Sequence, residues 1–261
     1  MTDGQHMYGM PEEIEVRADG PLRIITLNRP DALNAVNDPL HTGLARLWPR
    51  LAEDRDARAT VLTGAGKAFS AGGDFGYLDE IRQDPDLRAK TIAHGRDLVL
   101  GMVRCRVPVV AAVNGPAVGL GCSLVALSDI VYLAESAYLA DPHVQVGLVA
   151  ADGGPLTWPL HTSLLFAKEY ALTGARIPAR KAVALGLANH VVADPLAEAT
   201  ACAKRIAGLP RQAAESTKRL LNMHLERAVL ATLDYATTAE EQSFQTDDFR
   251  DTLARLTGRE K

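Results

Sequence analysis

The sequence predicts an α/β core followed by a helical C-terminal region, and three observations carry that prediction. Up to about residue 150, short apolar or alternating runs bounded by glycine clusters alternate with helix-spaced stretches. Residues 107–114 form a nearly uninterrupted apolar run, as expected of a strand covered on both faces. After Asp152 the spacing turns helical and stays so.

Taken in order, residues 14–27 alternate around Ala18-Asp19-Gly20-Pro21 and read as a hairpin, with Asp-Gly supplying the positive φ angles of a tight turn. Residues 37–54 place Leu40, Leu44, Leu47 and Leu51 on one helical face. A short strand at 60–63 precedes the glycine-rich GAGKAFSAGGD, and 86–105 is helical again. The strand at 107–114 leads into a second glycine cluster at 115–121, which opens a helix through Ser128. Short strands follow at 129–133 and 137–139, then helices at 164–172, 178–186, 195–207 and one or two more over 212–237. The division expected is a core over 1–195 and a helical region over 196–261, with no internal repeat.

The 261 residues are 47% apolar and 23% charged, with a net charge of −4, which argues against a nucleic-acid binder with its clustered basic excess. Cys105, Cys122 and Cys202 are too few and too scattered for a disulfide framework or a zinc site, and read as buried thiols in a reducing compartment. The N-terminus lacks the apolar core of a signal peptide, and no stretch is long enough for a membrane span. A soluble cytoplasmic protein, with no metal and no membrane partner, is the expectation.

Two segments, 69–74 (FSAGGD) and 114–122 (NGPAVGLGC), each follow a strand. Glycine lets backbone N–H groups face a ligand with no Cβ in the way. Two such groups converging on one oxygen form an oxyanion hole, although glycine after a strand also serves simply as a turn. Neither segment has the spacing of a phosphate-binding loop.

The blocks LNRPDALNAVN, VLTGAGKAFSAGGDF, PVVAAVNGPAVGLGCSLVALSDI and YALTGARIPARKAVALGLANHVV together resemble the crotonase (enoyl-CoA hydratase/isomerase) superfamily over residues 14–255. The resemblance implies a spiral of ββα repeats with a C-terminal helical trimerisation region, a homotrimer or homohexamer, and an acyl-CoA thioester substrate. Coenzyme A would enter as part of that substrate, with no permanently bound cofactor. The thioester oxygen would lie between the N–H groups of Gly73 and Leu120, with Ala71, Asp74, Gly119 and Gly121 around the substrate. FQTDDFRDTL resembles the family's ending, with Asp251-Thr252 at the usual Glu-Gly.

The chain departs from the family pattern at both hydratase glutamates. GLGCSL places Ser123 at one position and LADPH places His143 at the other. A serine hydroxyl does not replace a carboxylate as a base at neutral pH. Histidine, with a reference pKa of about 6.5, suits proton transfer there. The stretch DPHVQVGLVAADGGPLTWP also resembles 6-oxocamphor hydrolase, a superfamily member that cleaves a carbon–carbon bond in a cyclic diketone, in which a histidine–aspartate pair matches His143 and Asp152. Asp152 is thus a candidate to orient His143 or the N-cap of a following helix. Asp141 before Pro142 is a turn residue or part of the pocket. Ser123 binds water or fills space, and Trp158 forms a pocket wall or subunit contact. His41, His94, His161, His190 and His224 receive no role. Asp31 stands where relatives place a base for the CoA phosphates, leaving Arg29 and Lys67 as alternatives. The candidate functions are an isomerase or lyase acting on acyl-CoA, a β-diketone hydrolase, and a non-catalytic acyl-CoA binder.

Overall fold

The computed structural model describes residues 4–258. After a 3₁₀ turn at Gly4–Gly9 come the hairpin strands β1 (Ile14–Asp19) and β2 (Leu22–Leu27), with Asp19 paired to Leu22 across a two-residue turn. Of the two turn residues expected to take positive φ, only Gly20 does, at +57°. A second 3₁₀ turn, Pro30–Ala32, leads to α1 (Asp38–Glu53). Asn37 caps that helix, accepting the Leu40 N–H at 3.1 Å. Then follow β3 (Ala59–Gly64), α2 (Phe75–Gln83), α3 (Pro85–Arg104), β4 (Val109–Val113), β5 (Ala117–Val118), α4 (Leu120–Ala126), β6 (Ile130–Ala134) and β7 (Tyr138–Ala140). The chain continues through α5 (His143–Val146), α6 (Gly154–His161), α7 (Leu164–Thr173), β8 (Ile177–Pro178), α8 (Ala179–Ala184) and β9 (His190–Val192). It ends with α9 (Pro195–Ala207), α10 (Arg211–Ser243) and α11 (Asp247–Leu256).

The main sheet has the order β1-β2-β3-β4-β6-β9, parallel throughout except for the β1–β2 hairpin. Its central strands are buried on both faces, which is why residues 107–114 carry no polar alternation. Leu62, Val109, Ala111 and Leu133 face the core shared with α1 and α3. Val61, Val110, Ala112 and Tyr132 face the other way, against Ala199, Cys202 and Ala203 of α9. α9 thus covers one sheet face. A wholly helical pattern after Asp152 is overturned by β9, which pairs with β6 and completes the sheet edge. None of the described helices is long and apolar enough to cross a membrane.

A second, three-stranded sheet, β5-β7-β8, positions the chemistry. β5 pairs with β7 in parallel, Ala117 to Leu139 and Val118 to Ala140. On the far side of β5, Ser70 forms a parallel bridge with Ala117. Three chain segments therefore leave this ladder side by side: 71–74, 119–121 and 141–143.

Candidate active site

The first segment is held by its neighbours. The buried Asn34 amide donates to the carbonyls of Ala65 and Ala68, both at 2.9 Å, and its oxygen accepts the Arg29 N–H at 2.8 Å. Val36 then bridges Gly73: its N–H bonds the Gly72 carbonyl at 2.7 Å and its carbonyl accepts the Asp74 N–H at 3.0 Å. That pairing uses the groups on either side of Gly73 and leaves the Gly73 N–H directed away from Val36. Leu120 is the first residue of α4, so its N–H has no carbonyl within the helix to bond. Among the described residues neither N–H has an acceptor.

Glycine is required where these segments meet. Gly72 has φ +90°, and a Cβ there would lie 3.1 Å from the Val118 oxygen and 3.7 Å from the Gly119 nitrogen. Gly119 has φ +51°, and a Cβ would lie 3.5 Å from the Gly72 Cα and 3.6 Å from the His143 Cε1. The strand register therefore carries both glycine blocks and the His143 ring to one point. Gly121, by contrast, is packed on Ser70, whose Cβ would lie 2.7 Å from an added methyl, and it faces no ligand space.

His143 begins α5, and its Nδ1 is paired with the Asp141 Oδ1. The second oxygen of Asp141 accepts the Gly154 N–H at 2.9 Å. With Nδ1 so engaged, the Cε1–Nε2 edge is the one beside Gly119, Nε2 lying 4.0 Å from the position of its Cβ. The Ser123 hydroxyl lies 3.1 Å from the Asp152 Oδ1 and 3.2 Å from the Gly119 carbonyl, sharing its one proton between them.

The electrostatics follow from burial and charge. Burial by itself lowers the His143 pKa, but Asp141, through charge and hydrogen bond, with Asp152 and Glu240 behind it, outweighs burial and raises the pKa to about 10. At neutral pH the imidazole is therefore an imidazolium with a proton to give. Burial raises Asp141 as well, yet the His143 charge and hydrogen bond hold it below the ordinary carboxylate value. Burial pushes Asp152 up, the His143 charge and the Ser123 hydroxyl oppose it, and the Asp141 charge adds to it.

Several expectations change here. Asp141, not Asp152, orients His143, and a Pro142 turn brings the two within reach. Asp152 does not cap α6, whose N-cap is Gly153 with no side-chain bond. Asp74 caps α2 through the N–H groups of Gly76 and Tyr77 and pairs with Arg29 at 3.2 Å, so its carboxylate serves the fold. Trp158 is 1% exposed and packs on Gly154 in the core, offering no ligand surface. Ala71 is exposed beside Gly72, its N–H bonded to the Leu33 carbonyl. The fold adds one residue to which the sequence assigns no role: Glu240 of α10, whose carboxyl burial and the charge of Asp152 raise to about 8. The sequence offers only its place on the inward face of a long helix, between Ala236 and Ser243. Among the described residues no group of three His, Cys, Asp or Glu side chains is placed to hold a metal ion.

Comparison with known proteins agrees with this architecture. The sequence profile of the Enoyl-CoA hydratase/isomerase family matches residues 18–261. A probable enoyl-CoA hydratase of Mycobacterium bovis is 31% identical over 245 residues, covering 93% of this chain and 94% of its own. The crystal structure of an enoyl-CoA hydratase/isomerase from Mycobacterium paratuberculosis superposes with a TM-score of 0.94 at 77% identity, covering 95% of this chain and 99% of that one. A carnitinyl-CoA dehydratase from Mycobacterium avium gives a TM-score of 0.79 at 30% identity, covering 92% and 95%. The α/β crotonase fold with its helical C-terminal region is thereby established.

Proposed function

Because the chain belongs to the enoyl-CoA hydratase/isomerase family, we propose that it transforms an acyl-CoA thioester through an enolate held at Gly73 and Leu120, with His143 and Asp141 handling the proton. The observation that carries this reading is the His143 Cε1–Nε2 edge lying against Gly119, the residue before the Leu120 donor. A thioester oxygen between the two free N–H groups gains stabilisation as it becomes an enolate oxygen. The α-carbon of the acyl group then faces Nε2, and the Asp141 carboxylate keeps that nitrogen protonated until the enolate forms. Ser123 and His143 stand where the family resemblance implies hydratase glutamates, so the proton chemistry is assigned to a different set of side chains and the class is isomerase or lyase. Calorimetry with acetoacetyl-CoA tests the substrate class: saturable binding is expected, and its absence contradicts a thioester substrate.

One observation favours a second reading, a β-diketone hydrolase without CoA. Arg29 is occupied by the Ala35 carbonyl and Asp74, and Asp31 is exposed beside it, so of the cations considered for the phosphates Lys67 alone remains. Failure of CoA binding, with turnover of cyclic β-diketones, would select it.

The assembly proposed is a homotrimer or a dimer of trimers. It would cover a cleft of about 700 Å³ beside α10, lined by Leu160, Leu209 and Leu221. The last two are 52% and 65% exposed, an apolar surface that suits a partner of the same kind. Analytical ultracentrifugation should give a trimer or hexamer, and a monomer at micromolar concentration contradicts this.

A further inference from the structure

α10 carries a long inward stripe: Lys218, Asn222, Leu225, Val229, Leu233, Ala236 and Ser243 recur at the steps of three and four that keep residues on one helical face. Glu240 occupies the remaining place on that stripe, four residues after Ala236 and three before Ser243. A carboxylate there is unfavourable for packing alone, because burial penalises its charge.

The end of α10 is fastened over the loop that follows the His143 turn. Ser243 Oγ accepts the Val149 N–H at 3.3 Å, and Leu148 packs with Phe244 and Phe249. That loop runs from α5, which His143 begins, to Asp152, and Glu240 lies on the same helical face as Ser243, one turn earlier. Glu240 is half-buried, and among the described residues its carboxyl has neither a hydrogen bond nor an ion pair. The charged groups whose fields reach it are Asp152, His143 and Asp141. Of the other charges nearby, Asp234 on its own helix is paired with Arg96 of α3, and Asp247 of α11 with Arg250; Glu241 is the adjacent residue.

We propose that Glu240 is the second proton-transfer residue of this site, paired with His143 across an α,β-unsaturated thioester or its 3-hydroxy product; this rests on the acyl-thioester reading. In the addition direction, ionised Glu240 takes a proton from water as the water oxygen bonds to the β-carbon. The π pair moves onto the thioester oxygen as the enolate. The enolate then collapses as the His143 Nε2–H bond breaks and the proton joins the α-carbon. Transfer of the Glu240 proton to His143 through solvent restores both groups, so the net change is addition of one water. The helical C-terminal region thereby supplies part of the chemistry as well as a packing surface.

The step needs Glu240 ionised and His143 protonated. With Glu240 raised to about 8 and His143 to about 10, kcat/KM for crotonyl-CoA hydration should rise through pH 8 and fall through pH 10. Glu240→Gln should lower the rate at least ~10-fold and abolish the rising limb, while Glu240→Asp keeps the limb at a reduced rate. A carbon-13 NMR titration of the glutamate carboxyls supplies a readout independent of turnover. It should show one carboxyl titrating far above the others, absent in Glu240→Gln and moved higher still in His143→Ala. Unchanged activity and pH profile in Glu240→Gln would overturn the proposal. So would a Glu240 that titrates with the surface carboxylates. If the wild type neither binds nor turns over crotonyl-CoA, the thioester reading fails by itself, and the carboxyl titration alone decides whether Glu240 belongs to the His143 cluster.

Discussion

Replacing His143 with alanine should lower turnover of the acyl-CoA substrate at least ~100-fold, the usual scale for loss of a general acid or base. Thioester affinity should change by less than about 0.7 kcal/mol, or about threefold, because the oxyanion donors are backbone groups that the substitution leaves in place. The two effects separate because His143 meets the reacting carbon, whereas Gly73 and Leu120 meet the oxygen. Steady-state kinetics beside calorimetry checks both. Equal losses of affinity and rate would mean that the imidazole shapes the pocket instead of moving a proton. Wild-type turnover in the variant would remove His143 from the chemistry and make the protein's proton donor another group.

Asp141→Asn should destabilise the fold by about 3 kcal/mol near pH 6, the usual scale for breaking a buried ion pair, and release His143 from its raised pKa. Asp141 is 2% exposed and the His143 side chain 15%, so breaking the pair leaves an uncompensated charge out of water. The sign of the pH dependence follows from each partner. The folded pKa of His143 lies above its ordinary 6.5, so its stabilisation is complete below about 6.5 and is lost as pH rises through about 10. The folded pKa of Asp141 lies below its ordinary 3.8, so its stabilisation is present above that value and is lost as pH falls through the folded pKa. These are two views of one interaction, and the pair stabilises most between about pH 4 and 6.5. Denaturant unfolding at pH 6 and pH 10 should show the wild type's advantage shrinking at the higher pH. A constant difference between the two pH values would assign the effect to shape and not to charge. Proton NMR of the imidazole supplies the second check, with the His143 titration moving down from about 10 in the variant.

The legible and illegible parts of this chain divide on physical grounds. Strand β4 and helix α1 announce themselves, one by its unbroken apolar run and the other by its leucine face. The glycine blocks were readable because positive φ and close backbone contact leave so few alternatives to glycine at Gly72 and Gly119. Asp74, expected around the substrate, commits its carboxylate to the α2 cap and to Arg29. An aspartate before a helical run is a cap signal, but α2 is only nine residues long with two buried side chains, Tyr77 and Ile81, and its periodicity is faint. β9 is illegible in the sequence because three residues at a sheet edge carry no pattern of their own. The partner of His143 could not be chosen from spacing, since Asp141 and Asp152 both lie within reach of a turn, and the fold turns Asp152 toward Ser123. Glu240 lies 97 positions from His143, so only the docking of α10 on the 147–152 loop brings them into one field.

The most direct test of the central claim is deuterium exchange at the α-carbon of butyryl-CoA in D₂O, followed by NMR for the wild type and His143→Ala at matched thioester occupancy. Butyryl-CoA has no double bond to hydrate, so exchange reports only enolate formation and reprotonation. Because removing the α-proton needs neutral His143, the account predicts exchange by the wild type that rises through about pH 10, and its loss in the variant with binding retained. Equal exchange by both proteins, or none by a wild type that binds the thioester, would contradict it.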